Sequence, residues 1–428
     1  MKILIKNGRV VDPESGTDET LDILINAGKI VNIKARIDVK NTTLIDASRL
    51  VVAPGFIDMH AHLREPGQSH KETIESGARA AAKGGFTSIC AMPNTKPVND
   101  NRDVTEYILD QAARKASVNI YPIGAITKGL LGSEPTDMAD QMAAGVIAFS
   151  DDGRCVQDSR VMWRALEGAK ALNALVIDHC EDRSLWEGGV MHDGAAARRF
   201  GLPGIPAAAE DIMVARDIIL AESLGAHVHI AHLSTKGAVQ LVREAKKRNV
   251  PITAEATPHH LILNDGLLEK HGTDYKVNPP LRSPEDVRAL IGAVKDGTVD
   301  VFATDHAPHT AKEKDVAFEK APFGMVGLET AVSLLLDKMV NKNVISLARF
   351  IEMISSKPAR ILGLKTKGRI AVGADADLTV LNLHKTIVVD VAAFQSRSKN
   401  SPFDGWKLKG APVMTIVAGK IVYPFAAR

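Results

Sequence analysis

A chain of 428 residues, 45% hydrophobic and 24% charged, has room for one large folded unit and a smaller one beside it. A formal net charge of +2 gives no electrostatic ground for nucleic acid or an anionic membrane surface as partner. Three scattered cysteines without CxxC spacing (Cys90, Cys155, Cys180) argue against a disulfide framework and predict a reducing, cytoplasmic setting, and no apolar run approaches the roughly 18–20 residues of a membrane span.

The opening residues, MKILIKNGRVVDPESG, alternate apolar and polar and break at Asp12-Pro13. This predicts a strand and turn rather than the continuous apolar core of a signal peptide. LDILINAGKIVNI and NTTLIDASRLVVAPG continue in short strands punctuated by AG and PG. From residue 54 the pattern changes. Eight short apolar segments follow, GFIDMHAHL, FTSICAMPN, NIYPIGAIT, GVIAFSDDG, ALVIDHCED, HVHIAHLS, PITAEATPHH and DVFATDHAPH. Helix-like stretches such as HKETIESGARAAAKGG, KGAVQLVREAKKRN and SPEDVRALIGAVKDG separate them, ending in Gly or Asn as C-caps prefer. Beyond residue 364 the chain is strand-like again, in KGRIAVGADADLTVLNL, HKTIVVD and GAPVMTIVAGKIVY. Residues 1–53 and 365–428 are therefore expected to pair into one composite β-sandwich beside a central β/α unit of residues 54–364. No fixed-period repeat suggests a solenoid.

In most of the central segments the apolar half comes first and the polar residue comes at the C-terminal end: His60 and His62, Asn94, Asp152, His179, His232, Asp305. A closed (β/α)₈ barrel gathers all its strand ends on one face, whereas an open sheet draws its site from strands flanking one crevice. Eight units with ionisable ends predict an α/β, TIM-like barrel with its site at that face.

His60-Ala61-His62 sits in a strand, so both imidazoles share a face and can reach one divalent cation. Alone the pair is a weak signal, since two polar residues at a strand end look the same. Asp152, His179, His232 and Asp305 strengthen it, because histidines and carboxylates from separate strand ends converge on a small volume. Together they suffice for two metals bridged by a carboxylate. Asp151 and Asp152 are not separable by spacing. Other histidines are expected elsewhere: His227 and His229 lie earlier on their strand, His259 and His260 end strand seven, and His306 points away from Asp305. His70, His192, His271 and His384 are expected to be exposed. Asp58 sits deeper in the barrel, and Cys180 is read as a small buried hydrophobe. No GxSxG elbow, Walker loop or GxGxxG after a strand supports serine, phosphoryl or nicotinamide chemistry.

PGFIDMHAHLREPG, ICAMPNT, AFSDDG, DHCED, AHLST, NPPLR and ATDHAPHTAKEK…APFGMVGLET closely resemble the bacterial type I dihydroorotases over essentially the whole chain. That resemblance implies a zinc-dependent cyclic-amide hydrolase that reversibly closes N-carbamoyl-L-aspartate to (S)-dihydroorotate for pyrimidine synthesis. It makes His60 and His62 ligands of one Zn²⁺, His179 and His232 ligands of a second (one of the two able to sit at low occupancy), and Asp152 the bridge. Asp305 matches a metal-contacting general base and acid, acting on a bridging hydroxide that attacks the ring amide. Arg64, Asn94 and His309 match residues on the substrate carboxylate, and Asn278, Phe323 and Gly324 match contacts to the ring, with His62 beside the substrate. A homodimer is implied, and a complex with aspartate transcarbamoylase is compatible with it.

Hydantoinases resemble one another in a carboxylated lysine at the end of strand four, where this chain has Ser150-Asp151-Asp152. That departure argues against a hydantoinase or allantoinase, as do three residues matched to a substrate carboxylate. A non-catalytic scaffold, the rival of another class, would lose metal ligands, and every such position is filled here. The charged stretch 309–325, HTAKEKDVAFEKAPFGM, is expected to be an active-site loop over the ligand.

Overall fold

The computed structural model describes residues 2–186, 188–268 and 272–424. Eight strands occur where the apolar segments predict them: β1 (Phe56–Ala61), β2 (Phe86–Ala91), β3 (Asn119–Gly124), β4 (Ala148–Phe149), β5 (Leu175–Asp178), β6 (Val228–Ile230), β7 (Ile252–Ala256) and β8 (Val301–Phe302). They lie side by side in sequence order, and every ladder is parallel. The ring closes where the His62 N–H donates to the His306 carbonyl at 2.9 Å, beside a parallel bridge from Ala61 to His306. Each strand is followed by a helix: α1 (Ile74–Gly84), α2 (Arg102–Lys115), α3 (Met138–Ala144), α4 (Ser159–Ala171), α5 (Ala208–Leu224), α6 (Lys236–Lys247), α7 (Pro284–Asp296) and α8 (Ala331–Leu335). This is the (β/α)₈ barrel that the strand ends imply.

Local chemistry accounts for these elements. Thr73 caps α1 by accepting from the Ser76 N–H at 3.0 Å, and Gly85 ends it in the left-handed region at φ 92°. Between the caps Ala78, Ala80, Ala81 and Ala82 are buried, and such small side chains let the helix lie close on the strands. The strands carry the Val, Ile and Phe of parallel sheets covered on both faces, among them Phe56, Phe86, Val176, Val228 and Phe302, which join one continuous core with the helices.

The two chain ends meet in a second eight-stranded sheet. Leu378–Val388 runs antiparallel to Val51–Pro54, so C-terminal and N-terminal strands hydrogen-bond directly. This sheet has its own apolar cluster, including Ile3, Ile5, Ile23, Ile25, Val380 and Ile416. No helix among the described residues is long and apolar enough to cross a membrane.

The loops after β1 and β2 cross closely at Gly67, which has φ +86°; a Cβ there would stand 1.8 Å from the Lys96 carbonyl oxygen. Gly67→Ala adds both strain and a backbone clash, and is expected to cost about 2 kcal/mol or more. Thermal unfolding checks this, and a wild-type midpoint would show that the crossing has slack.

Candidate metal centre and substrate cavity

Six side chains from five strand ends converge. Asp152, just past β4, has Oδ1 3.2 Å from His60 Nε2 and Oδ2 3.4 Å from His62 Nε2. His179 Nδ1, after β5, and His232 Nε2, after β6, lie 3.5 and 3.7 Å from the same Asp152 Oδ1, and 2.8 Å from each other. Asp305, after β8, has Oδ1 3.2 Å from His62 Nε2 and 3.5 Å from His60 Nε2. Asp151 turns away, its Oδ1 accepting from the N–H groups of Ile126 and Thr127 at 2.8 and 3.0 Å and its Oδ2 from the Thr127 hydroxyl. Geometry thus separates the two aspartates where spacing does not. Arg64, His232 and Asp305 all have positive φ (60°, 30° and 46°), a backbone region that ordinary residues occupy only when their surroundings hold them there.

The outward nitrogens of the first pair are fixed from behind. His60 Nδ1 meets Glu255 Oε1 at 2.7 Å, and His62 Nδ1 meets Asn94 Oδ1 at 2.8 Å. With Nδ1–H donating to these oxygens, the Nε2 lone pairs face the centre, the arrangement by which partners orient ligating imidazoles. Glu255, fully buried on β7, also meets His229 Nε2 at 3.2 Å and accepts from the His232 N–H at 3.1 Å. Sequence reasoning missed it. Its signal was an acid inside a short, largely apolar strand, ITAEA.

The electrostatics follow from charges packed together in a buried centre. Burial works against the charge on Asp152, but the imidazoles packed around it, His60 foremost, hold it well below the usual carboxylate range. Asp305 is held low in the same way, burial being outweighed by His60 and His62. Burial and then the Arg64 and Lys71 cations push His309 down to about 2, so its imidazole is neutral.

The donors fit a divalent cation. His60 Nε2 and Asp152 Oδ1 are buried and lack any hydrogen-bond partner. Ligand atoms of His60, His62 and Asp305, and of His60, Asp152 and His232, form two groups within 4.8 Å. Such orphaned buried atoms are costly unless a shared partner satisfies them, and mixed imidazole and carboxylate donors suit a borderline cation.

Beside this centre opens a cavity of about 370 Å³ lined by His62, Arg64, Asn94, Asn278, His309, Phe323 and Gly324, together with Asp152, His179, His232 and Asp305. Every sequence-predicted site residue lies here or immediately behind it. Arg64 Nε donates to the Pro308 carbonyl at 3.3 Å, and Asn278 Nδ2 lies 3.3 Å from His179 Nε2 while its buried Oδ1 has no partner. Trp186, whose indole Nε1 is likewise unpartnered, also lines the cavity and was not anticipated. Larger clefts of about 410 and 520 Å³ exist elsewhere, but neither gathers such convergent donors.

The remaining candidates separate cleanly. His306 faces Glu72 at 3.2 Å, Asp58 accepts from Thr304, and Cys180 Sγ lies 3.4 Å from Asp217 Oδ2. His227 and His229 pack on Thr253. His259 and His260 belong not to strand seven but to a helical turn, Pro258–Ile262, where Thr257 caps the chain. His70 and His384 are exposed, whereas His192 is not: it is buried, its Nδ1 3.4 Å from Arg282 Nη1. His271 lies outside the described residues. Only the two ends of the stretch 309–325, His309 and Pro322 to Gly324, line the cavity, and Lys314 anchors the segment by donating to the carbonyls of Thr273 and Pro322 at 3.0 and 2.9 Å.

A family profile described as Dihydro-orotase-like matches residues 48–238, and one described as Amidohydrolase family matches residues 325–423. Proteins named dihydroorotase are similar over nearly the full length. The one from Syntrophus aciditrophicus is 50% identical over 99% of both chains. That from Pelotomaculum thermopropionicum is 51% identical over 99% of this chain and 98% of its own. That from Geobacter metallireducens is 48% identical over 99% of this chain and 100% of its own. Among solved structures, the L-hydantoinase (dihydropyrimidinase) from Arthrobacter aurescens superposes with a TM-score of 0.89 at 28% identity, covering 98% of this chain and 95% of its own. The dihydropyrimidinase from Brevibacillus agri NCHU1002 does so with a TM-score of 0.84 at 26% identity and the same coverage.

Proposed function

The chain belongs to the dihydroorotase family of the amidohydrolases, and we propose that it interconverts N-carbamoyl-L-aspartate and (S)-dihydroorotate in pyrimidine synthesis. The observation that carries this reading is Asp152 set among four imidazoles beside a cavity that also presents Arg64, Asn94 and His309. The hydantoinase likeness is one of fold at 26–28% identity, and relatives near 50% identity weigh more on substrate.

His60 and His62 would hold one zinc ion through Nε2, and His179 and His232 a second, with Asp152 shared and Asp305 in reach of the first. When bound, such ions lower the pKa of water to about 7 and polarise a carbonyl oxygen. The chain's own groups do the rest. Asp305, kept as a carboxylate, takes the proton of the attacking water and returns it to the departing ring nitrogen. Arg64 offers a planar fork to the substrate carboxylate, joined by the Asn94 amide and His309. Asn278 and the backbone at Phe323 and Gly324 hold the ring. Residues 54–364 act as the catalytic unit, supported by 1–53 with 365–428. The assembly implied is a cytoplasmic homodimer, alone or with aspartate transcarbamoylase.

Arg64→Lys is expected to raise KM for dihydroorotate about 10–100-fold with a smaller change in kcat, because a point charge cannot replace a bidentate fork. Steady-state kinetics decide it. The overall assignment is tested by turnover on dihydroorotate beside hydantoin and allantoin. Activity on dihydroorotate alone, abolished by a chelator and restored by Zn²⁺, supports it; preference for hydantoin or allantoin would overturn it.

A further inference from the structure

The substrate side of the cavity is formed by two arms of chain, residues 307–309 and 323–326, and a residue from far outside the barrel stands between them. Asn400, 91 positions after His309, is buried at 5% exposure. Its Nδ2 donates to the carbonyls of Ala307 and Gly324 at 3.2 and 3.1 Å, while its Oδ1 accepts from the His309 N–H at 3.0 Å. Its backbone carbonyl accepts from the Val326 N–H at 2.9 Å. The arms have no slack: Gly324 has φ +133°, and a Cβ there would stand 2.7 Å from Ala307 Cβ. Neighbours of Asn400 extend the grip to the loop after β1. The Ser398 hydroxyl donates to the Lys71 carbonyl at 2.7 Å, and the Arg397 N–H donates to Glu72 at 3.0 Å.

We propose that Asn400 is a positioning residue for substrate recognition, setting the distance between His309 on one arm and Phe323 and Gly324 on the other without touching the substrate. The inference rests on the dihydroorotase reading of the cavity, whose lining does not include Asn400. Only a primary amide presents two donors and an acceptor in the pattern that two carbonyls and one N–H require. Asp, of the same shape, sets a carboxylate oxygen against the carbonyls of Ala307 and Gly324. A protonated Asp regains one donor, and crowding by carbonyl oxygens raises its pKa. The effect of that substitution therefore depends on pH in a way that general loosening of the fold does not.

The experiment compares wild type, Asn400→Asp and Asn400→Ala as full-length, metal-loaded protein. Displacing binding groups by about 1 Å costs up to ~100-fold, so Asn400→Asp should raise KM for dihydroorotate at least about tenfold with kcat and bound metal nearly unchanged. Relative to wild type at each pH, the KM penalty should shrink between about pH 8 and about pH 6. Asn400→Ala should raise KM without that pH dependence. Hydrogen exchange provides a readout independent of turnover: the amides of Ala307, His309 and residues 324–326 should exchange faster in both variants, with β1–β8 unchanged. Unchanged KM, an equal loss in kcat, a penalty indifferent to pH, or exchange that rises throughout the barrel would each overturn the proposal. Should wild type itself ignore dihydroorotate, the functional reading falls separately, and the exchange pattern alone judges Asn400.

Discussion

Asp305→Asn is expected to lower kcat on dihydroorotate by about 10³–10⁴-fold while leaving bound metal nearly at the wild-type level. The two side chains have the same shape, and Asn tolerates positive φ better than most residues, so the backbone at +46° is not further strained. What changes is the capacity to accept a proton. The carboxylate of Asp305 is held ionised by His60 and His62 against the cost of burial, and an amide at the same place cannot take a proton from water. Two imidazoles and Asp152 would still stand at each cation position, close enough to retain the ion. Rates and metal analysis on the same preparation decide the matter. Near-normal turnover removes Asp305 from the role of base, and joint loss of metal and rate makes it chiefly a ligand.

The second large effect comes from two adjacent residues. Asp152→Asn is expected to reduce activity to near background and cut cation affinity beyond the ~10–100-fold typical of losing an outer partner, because Asp152 is the carboxylate that all four imidazoles share. Asp151→Asn should leave most turnover and all metal, yet lower stability by about 1–3 kcal/mol. Its carboxylate accepts two backbone N–H groups and the Thr127 hydroxyl, and an amide nitrogen there leaves a buried donor unmatched. Metal content, kcat and melting temperature of the pair are the readout. If the Asp151 variant loses its metal and the Asp152 variant keeps it, the placement of the two side chains is reversed.

The difficulty with these neighbours shows where pattern reading runs out. β4 is only two residues long, Ala148–Phe149, so beyond its end there is no alternation to say which aspartate faces inward. The Thr127 and Ile126 groups that capture Asp151 lie 24 and 25 positions away and come into range only when the loop after β3 is in place. His192 failed for a related reason. A histidine between Met191 and Asp193 carries no local mark of burial, and it is covered by Arg282, 90 residues on.

Short-range chemistry was enough for the eight barrel strands, the capped α1 and the set of imidazole and carboxylate donors at the strand ends. Apolar alternation, capping and turn residues act over a few positions and leave their trace in any short window. Which donor atom faces the centre was decided only by the closed barrel. Glu255 sets the orientation of His60 across 195 residues, Asn94 that of His62 across 32, and Asn400 joins the arms carrying His309 and Gly324 across 91 and 76. A hydrogen bond is made or lost within a few tenths of an ångström, and no spacing along the chain determines distances of that kind between strands that meet only after the ring has closed.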